Sequence, residues 1–282
     1  MINKFEFSAK EKGLNVLILG AIHGNETAGP KAISRLIDEI NNGEIELLKG
    51  SLVLVPVCNV EANKKDVRSI DENLNRVITE HKNPTTYEQK LANEICLLIK
   101  ECDIMLDLHS THCKGDVPFA FCDYPSVENG KLIDVLPVKY VLEGWPQIYD
   151  GQGEINDFST ERYAHECGNV GTTLECGYHK AEDAGNIAYQ AIINVLNKFG
   201  LIETVEVRSF VKTHILMKNY VVKKKEGRLC QNFKHLDSIK KGELIARYDD
   251  GEELFAIDDG FILLPNLEAE IGTEWYYFGV EK

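Results

Sequence analysis

The chain has 282 residues, of which 31 are basic and 45 acidic, so its formal net charge is −14. This acidic balance disfavours nucleic acids and anionic membrane surfaces as partners, because both carry negative charge. The length suggests either one large domain or a large domain with a small one. The sequence has no long apolar run and no apolar leader, so we expect a cytoplasmic protein without a membrane span.

Short apolar runs alternate with amphipathic stretches over most of the first 202 residues. The apolar runs predict buried strands at 16–19, 52–57, 104–108 and 172–174. Helical periodicity predicts helices at 28–40, from a capping box at Thr85 and Glu88 onward, and at 183–199. This alternation is typical of an α/β fold with a mixed, largely parallel sheet flanked by helices.

Two other stretches differ from this alternation in their composition and in the length of their apolar runs. Residues 110–131 are polar and contain several Gly and Pro residues, which predicts a loop with at most one short strand. Beyond residue 202, short runs near 205–207, 221–222, 244–245, 261–264 and 275–278 are separated by turn dipeptides. We therefore predict an α/β domain over residues 1–202 and a smaller all-β domain over residues 203–282.

Candidate metal ligands follow two of the predicted strands. His23 and Glu26 stand three residues apart after the first strand, and Asp107 and His109 bracket the end of the third. Because parallel strands bring their carboxyl ends to one sheet edge, His23, Glu26 and His109 can converge there, with Asp107 orienting a ligand. Two histidines and a glutamate are a ligand set of catalytic zinc. A loop histidine and a glutamate at a helix N-terminus are the alternative for the first pair.

Glu175 and a basic segment complete the candidate site. Glu175 ends another strand and is suited to act as general base, although an isolated glutamate there is also compatible with a surface or capping role. Arg68, Asn75 and Arg76 follow the second strand and offer planar and directional donors for a carboxylate or oxyanion. Solvated loop charges paired with nearby acidic residues are the alternative for this segment.

Together these motifs resemble the succinylglutamate desuccinylase/aspartoacylase family, relatives of the zinc carboxypeptidases. The shared elements are HGNE at 23–26, an arginine at 68 followed by Asn-Arg at 75–76, DLH at 107–109, and the glutamate of TLECG at 175. The family often has aspartate two residues before the Asn of its Asn-Arg pair, where this chain has Asn73.

The resemblance implies a zinc carboxypeptidase-like catalytic domain with a β-rich C-terminal domain that partly covers the site. It implies one zinc ion held by His23, Glu26 and His109, and Glu175 as general base. Arg68 would polarise the scissile carbonyl, while Asn75 and Arg76 would hold a substrate carboxylate. Further family contacts, an arginine upstream of the base and a C-terminal tyrosine, have as candidates here Arg162 and either Tyr276 or Tyr277.

The resemblance predicts a zinc-dependent amidohydrolase that cleaves an N-acyl amino acid of the N-acetylaspartate or N-succinylglutamate type. Its partner would be a small anionic substrate, bound in a locally positive pocket within the acidic chain. A zinc carboxypeptidase or peptide amidase acting on a longer peptide, and a non-catalytic metal-binding module, remain alternatives. The sequence leaves open whether the chain forms homo-oligomers.

Overall fold

The structure, a computed structural model, describes residues 2–149, 158–203 and 210–282, so the predicted strand at 205–207 lies outside the described residues. The strands are β1 (Phe5–Ser8), β2 (Glu11–Gly20), β3 (Lys49–Val55), β4 (Ile104–Thr111), β5 (Phe119–Phe121), β6 (Tyr140–Glu143), β7 (Val170–Tyr178), β8 (Thr213–Val222), β9 (Gly227–Leu229), β10 (Asp237–Ile239), β11 (Leu244–Tyr248), β12 (Glu253–Phe255), β13 (Gly260–Leu263) and β14 (Glu274–Glu281). The helices are α1 (Ala28–Asn41), α2 (Val60–Lys64), α3 (Tyr87–Glu101), α4 (Val127–Val135), α5 (Trp145–Tyr149), α6 (Thr160–Glu166) and α7 (Ala184–Lys198), with a 3-10 turn at Leu74–Arg76.

One large sheet organises most of the molecule. Its 11 strands run in the order β1-β3-β2-β4-β7-β5-β6-β8-β14-β13-β10. The neighbours β3, β2, β4 and β7 are parallel and carry the predicted apolar runs. Helices α1, α4 and α7 pack on one face and α3 and α6 on the other, which explains why these strands are apolar on both sides. The predicted α/β fold class is therefore confirmed.

The third predicted helix matches the structure closely. Helix α7 spans Ala184–Lys198 with Asp183 at its N-cap position, and Gly200 follows it with φ of +71°. Because that positive φ is costly for other residues, Gly200 gives the chain its turn after the helix.

The predicted start of α3 is wrong by one residue. Thr86 is the N-cap, and its hydroxyl accepts a hydrogen bond from Gln89 N, while Gln89 Oε1 accepts one from Thr85 N. The capping hydrogen bonds therefore join Gln89 to Thr86 and Thr85, and Glu88 takes no part in them. Glu88 is fully buried against a neighbouring loop instead.

The predicted loop over 110–131 is only partly correct. It contains one short strand, β5, as expected, but α4 begins at residue 127 within it. Ser126 caps this helix by accepting a hydrogen bond from Asn129 N, and Leu132 and Ile133 bury its apolar side in the core. The polar first turn of α4 concealed the helix in the sequence.

The C-terminal part is rich in antiparallel strands, as predicted. Strand β8 pairs in parallel with β6 and so continues the large sheet, and β14, β13 and β10 add to it in antiparallel fashion. A separate sheet contains β12, β11 and β9. The division at residue 202 stays a prediction. Within the described ranges, no helix combines the length and apolar character needed to cross a membrane.

Candidate functional site

The three predicted ligands come together at the carboxyl ends of two parallel strands. His23 and Glu26 lie on the turn between β2 and α1, and His109 lies near the end of the adjacent strand β4. Gly24 is required in this turn, because a Cβ there would stand 2.3 Å from backbone atoms of α2. All three ligand side chains are buried, with relative exposures of 4%, 4% and 1%.

The nitrogen and oxygen atoms of this group face one another. His23 Nδ1 is 2.8 Å from Glu26 Oε1, His109 Nδ1 is 3.1 Å from Glu26 Oε2, and the two Nδ1 atoms are 3.2 Å apart. Tetrahedral zinc with bonds of about 2.0–2.1 Å separates its ligand atoms by roughly 3.3 Å. Among the described residues, this is the one cluster of three or more His, Cys, Asp or Glu side chains able to share a metal ion.

The outer hydrogen bonds of the two imidazoles determine which nitrogen carries the proton. His23 Nε2 lies 3.0 Å from Asn73 Oδ1, and His109 Nε2 lies 2.9 Å from Asp107 Oδ2. Since both partners are acceptors, each Nε2 donates, and a neutral ring then directs its Nδ1 lone pair toward the centre. Two lone pairs and a carboxylate at this spacing require a cation or a shared proton, so the residues present fit a divalent metal.

The electrostatics of the cluster agree with that fit. Burial lowers the pKa of His23 to about 4, which keeps this imidazole neutral. Burial alone would raise the pKa of Glu26, but the neighbouring His23 and His109 hold it well below its usual range. Burial likewise opposes charge on His109, yet Asp107 and Glu26 raise its pKa well above its usual range. Without a metal, the proton shared between Glu26 and His109 therefore rests on His109, and a divalent cation bound to its Nδ1 would take the place of that proton.

Glu175 lies beside the His23, Glu26 and His109 cluster, on the next strand of the sheet. It pairs in register with His109 of β4, so the two side chains point to the same face of the sheet. Its Oε2 atom is buried and has no hydrogen-bond partner in the structure. Burial, followed by the Glu26 charge, raises the pKa of Glu175 to about 8 against the opposing effects of His109 and Arg68. A carboxyl group that titrates near neutrality can both accept and donate a proton.

Arg68 reaches the same centre from the loop after α2. Its Nη1 donates to Glu26 Oε1 over 3.5 Å, and its backbone oxygen accepts from Gly24 N at 3.0 Å. The side chain is 52% exposed. The guanidinium thus lies at the edge of the candidate metal site, with donors available to an incoming group.

Asn75 and Arg76 occupy the 3-10 turn beside this centre. Asn75 Oδ1 accepts from Thr160 N at 3.1 Å, which leaves the amide Nδ2 as the donor for another group. Arg76 Nη1 donates to the backbone oxygen of Asn75 at 2.7 Å, and its guanidinium lies 5.5 Å from the centroid of the Trp145 ring. The structure therefore places both predicted residues on the turn that follows Asn73, whose side chain contacts His23.

An aromatic group adjoins Arg76, and the sequence analysis named only its Tyr277. Trp145 and Tyr149 come from α5 and Tyr277 from β14; the two tyrosine hydroxyls are 2.5 Å apart, and Trp145 stacks on Tyr277 at 5.1 Å between ring centroids. Tyr276 points to the opposite side, into the C-terminal core. Of the two predicted tyrosines, Tyr277 is therefore the one near the candidate site.

Arg162, the candidate arginine upstream of Glu175, contacts Glu166 and Phe158. Arg162 Nε donates to Glu166 Oε1 at 2.8 Å on the same helix, and its guanidinium lies over the Phe158 ring.

Glu88 and Thr160 support the site although the motifs did not single them out for it. Their partners are distant in sequence, so no local pattern could have identified them.

Comparisons with known proteins agree with the predicted resemblance. The model of the succinylglutamate desuccinylase/aspartoacylase catalytic domain matches residues 12–196. A succinylglutamate desuccinylase from Vibrio parahaemolyticus is 29% identical over 172 residues, which are 55% of this chain and 49% of that protein. One from Vibrio vulnificus is 30% identical over 86 residues, or 30% of this chain and 25% of that protein. The chain thus matches a quarter to a half of the length of these curated relatives.

Solved structures share the fold over nearly the whole chain. A succinylglutamate desuccinylase/aspartoacylase from Rhodobacter sphaeroides has a TM-score of 0.79 and 19% identity, covering 100% of this chain and 89% of that one. The product-bound ectoine utilization protein EutE (DoeB) from Ruegeria pomeroyi has a TM-score of 0.78 and 24% identity, covering 99% and 89%. At this level of identity the likeness establishes the fold.

Proposed function

The chain belongs to the succinylglutamate desuccinylase/aspartoacylase family, and from this premise we propose that it is a zinc-dependent amidohydrolase acting on a small anionic N-acyl amino acid. The substrate would be of the N-acetylaspartate or N-succinylglutamate type. One observation carries the proposal: the Nδ1 atoms of two histidines and a glutamate carboxylate converge beside a buried Glu175 oxygen without a partner.

His23, Glu26 and His109 would hold the zinc ion through two Nδ1 atoms and a carboxylate. When bound there, zinc would polarise the scissile carbonyl and lower the pKa of the attacking water. Asn73 and Asp107 would keep the two imidazoles in the tautomer that ligation needs, because each accepts the Nε2 proton.

Glu175 would move the proton during hydrolysis. Its Oε2 takes a proton from the attacking water as the oxygen–carbon bond forms, and the resulting carboxylic acid gives that proton to the amine nitrogen as the carbon–nitrogen bond breaks. The products are the acyl carboxylate and the free amino acid. A pKa near 8 supports both steps, since neither protonation state is inaccessible at neutral pH.

Arg68, Asn75 and Arg76 would bind and stabilise negative charge on the substrate. Arg68 would donate to the carbonyl oxygen as it gains charge, an interaction that favours the transition state over the ground state. Asn75 Nδ2 and the Arg76 guanidinium would bind a substrate carboxylate. Such donors act over short distances, whereas the net charge of −14 is spread over the chain and is screened by salt.

The test combines Glu175→Gln with a panel of N-acetyl and N-succinyl amino acids. Because the amide cannot accept the water proton, kcat should fall by about 10²–10⁴-fold, while bound zinc measured by atomic absorption should stay equimolar. Glu182→Gln, a change at an exposed position, is the matched control and should retain activity.

Two outcomes would contradict the proposal. Zinc-loaded wild-type protein that cleaves no member of the panel would exclude this substrate class, and cleavage of a tripeptide instead would favour the peptidase alternative. Full activity in Glu175→Gln would remove this residue from the mechanism.

A further inference from the structure

A continuous series of hydrogen bonds joins the two histidine ligands by way of Asn75, which is proposed to bind substrate. At one end, His23 Nε2 and Asn75 N both donate to Asn73 Oδ1 at 3.0 Å. Asn75 Oδ1 in turn accepts from Thr160 N at 3.1 Å. At the other end, Thr160 Oγ1 and His109 Nε2 both donate to Asp107 Oδ2, at 2.6 Å and 2.9 Å. The series begins at one ligand and ends at the other.

Thr160 connects the two halves of this series. It is the first residue of α6, it is fully buried, and it uses its backbone N–H toward Asn75 and its hydroxyl toward Asp107. The contact to Asn75 also selects the orientation of that amide, because only the oxygen can accept from a backbone N–H.

Asp107 depends on the Thr160 hydroxyl. The Asp107 side chain is fully buried, and its Oδ1 has no hydrogen-bond partner in the structure. Its Oδ2 is shared by Thr160 Oγ1 and His109 Nε2. Without the hydroxyl, the carboxylate would lose the contact that holds Oδ2 in line with the His109 ring, and the ring would lose its fixed orientation.

We propose that Thr160 is a positioning residue that orients the His109 ligand through Asp107 and links it to the substrate-binding Asn75. This inference rests on the proposed metal site. It predicts that the Thr160 hydroxyl contributes to metal affinity although it is not a ligand.

A buried threonine elsewhere provides a matched control. Thr172 on β7 is also fully buried, and its hydroxyl donates to the backbone oxygen of Phe121 at 2.6 Å. Thr172→Val therefore removes a hydroxyl of similar burial and hydrogen-bond length without touching the Asp107–His109 pair.

The experiment measures the zinc dissociation constant by competition with a chromophoric chelator, in the absence of substrate, for wild type, Thr160→Val, Thr160→Ser and Thr172→Val. Thr160→Val should weaken zinc binding about tenfold, the lower end of the effect of outer partners of metal ligands. Thr160→Ser keeps the hydroxyl and should stay within about twofold of wild type, as should Thr172→Val. Thr160→Ala replaces Thr160→Val if the valine variant fails to fold.

The same measurement in an Asp107→Ala background, which removes the shared acceptor oxygen, tests the route. If Thr160 acts through Asp107, adding Thr160→Val there should change the zinc dissociation constant by less than about twofold, because coupled residues are non-additive. An undiminished effect in that background would overturn the proposal. So would wild-type affinity in a folded Thr160→Val protein, an equal loss in Thr172→Val, or a wild-type protein that binds no zinc. A zinc-binding wild type that hydrolyses no substrate would refute the proposed activity alone.

Discussion

Glu88 offers a demanding test of how the site is supported. Its side chain is fully buried and accepts hydrogen bonds from Ile70 N at 2.7 Å and Asn59 Nδ2 at 3.1 Å on one oxygen, and from Asp71 N at 3.1 Å and Glu72 N at 3.4 Å on the other. Three of these donors are consecutive backbone N–H groups of the loop that leads to Asn73 and the 3-10 turn. Glu88 therefore anchors the segment that carries the proposed substrate contacts.

The change Glu88→Gln converts one of the two oxygens into an NH2 group. Whichever oxygen is replaced, two donors lose their acceptor and face another donor. At roughly 1–3 kcal/mol for each buried donor left unsatisfied, we expect the free energy of unfolding to fall by about 3 kcal/mol. For a chain of this size that corresponds to a melting temperature lower by about 6–12 °C.

Urea denaturation and thermal melting measure the stability, and steady-state kinetics report on the site. KM should rise more than kcat falls, because the loop carries substrate contacts rather than the general base. Glu101→Gln, an exposed position on the same helix, is the control and should leave the melting temperature unchanged. A loss of less than about 1 kcal/mol in Glu88→Gln, or a loss of equal size in Glu101→Gln, would refute the inferred anchoring.

Two further changes test other parts of the structure. Asn73→Asp gives His23 Nε2 a carboxylate acceptor in place of an amide, so zinc should bind about tenfold more tightly in chelator competition; unchanged or weaker binding would contradict the inferred contact. His235 accepts a hydrogen bond from Leu264 N, and burial lowers its pKa to about 3, against 6.5 in the unfolded chain. The neutral imidazole therefore contributes its full stability above pH 6.5, and this stability is lost as the pH falls toward 3. Between pH 7 and pH 5, His235→Asn should lose about 2 kcal/mol less unfolding free energy than wild type, and parallel stability curves for the two proteins would exclude this role.

Local sequence patterns predicted the elements whose residues are close along the chain. The apolar runs at 16–19 and 104–108 lie in β2 and β4, and the helix predicted at 183–199 is α7, because periodicity and end residues act within a few turns. The same local reasoning misplaced the start of α3. The spacing of Thr85 and Glu88 satisfies a capping box, but spacing says nothing about the loop at 70–72, which takes up the Glu88 carboxylate.

The sequence by itself determined the α/β fold class and the family, and it predicted the residues of the candidate site, because these depend on residue type and on order along the chain. Tertiary structure decided what surrounds those residues. Asn73 meets His23 across 50 positions and Thr160 meets Asp107 across 53, so no motif contains either pair. Such contacts exist only once parallel strands and their loops gather at one sheet edge, and they determine which imidazole nitrogens face the centre.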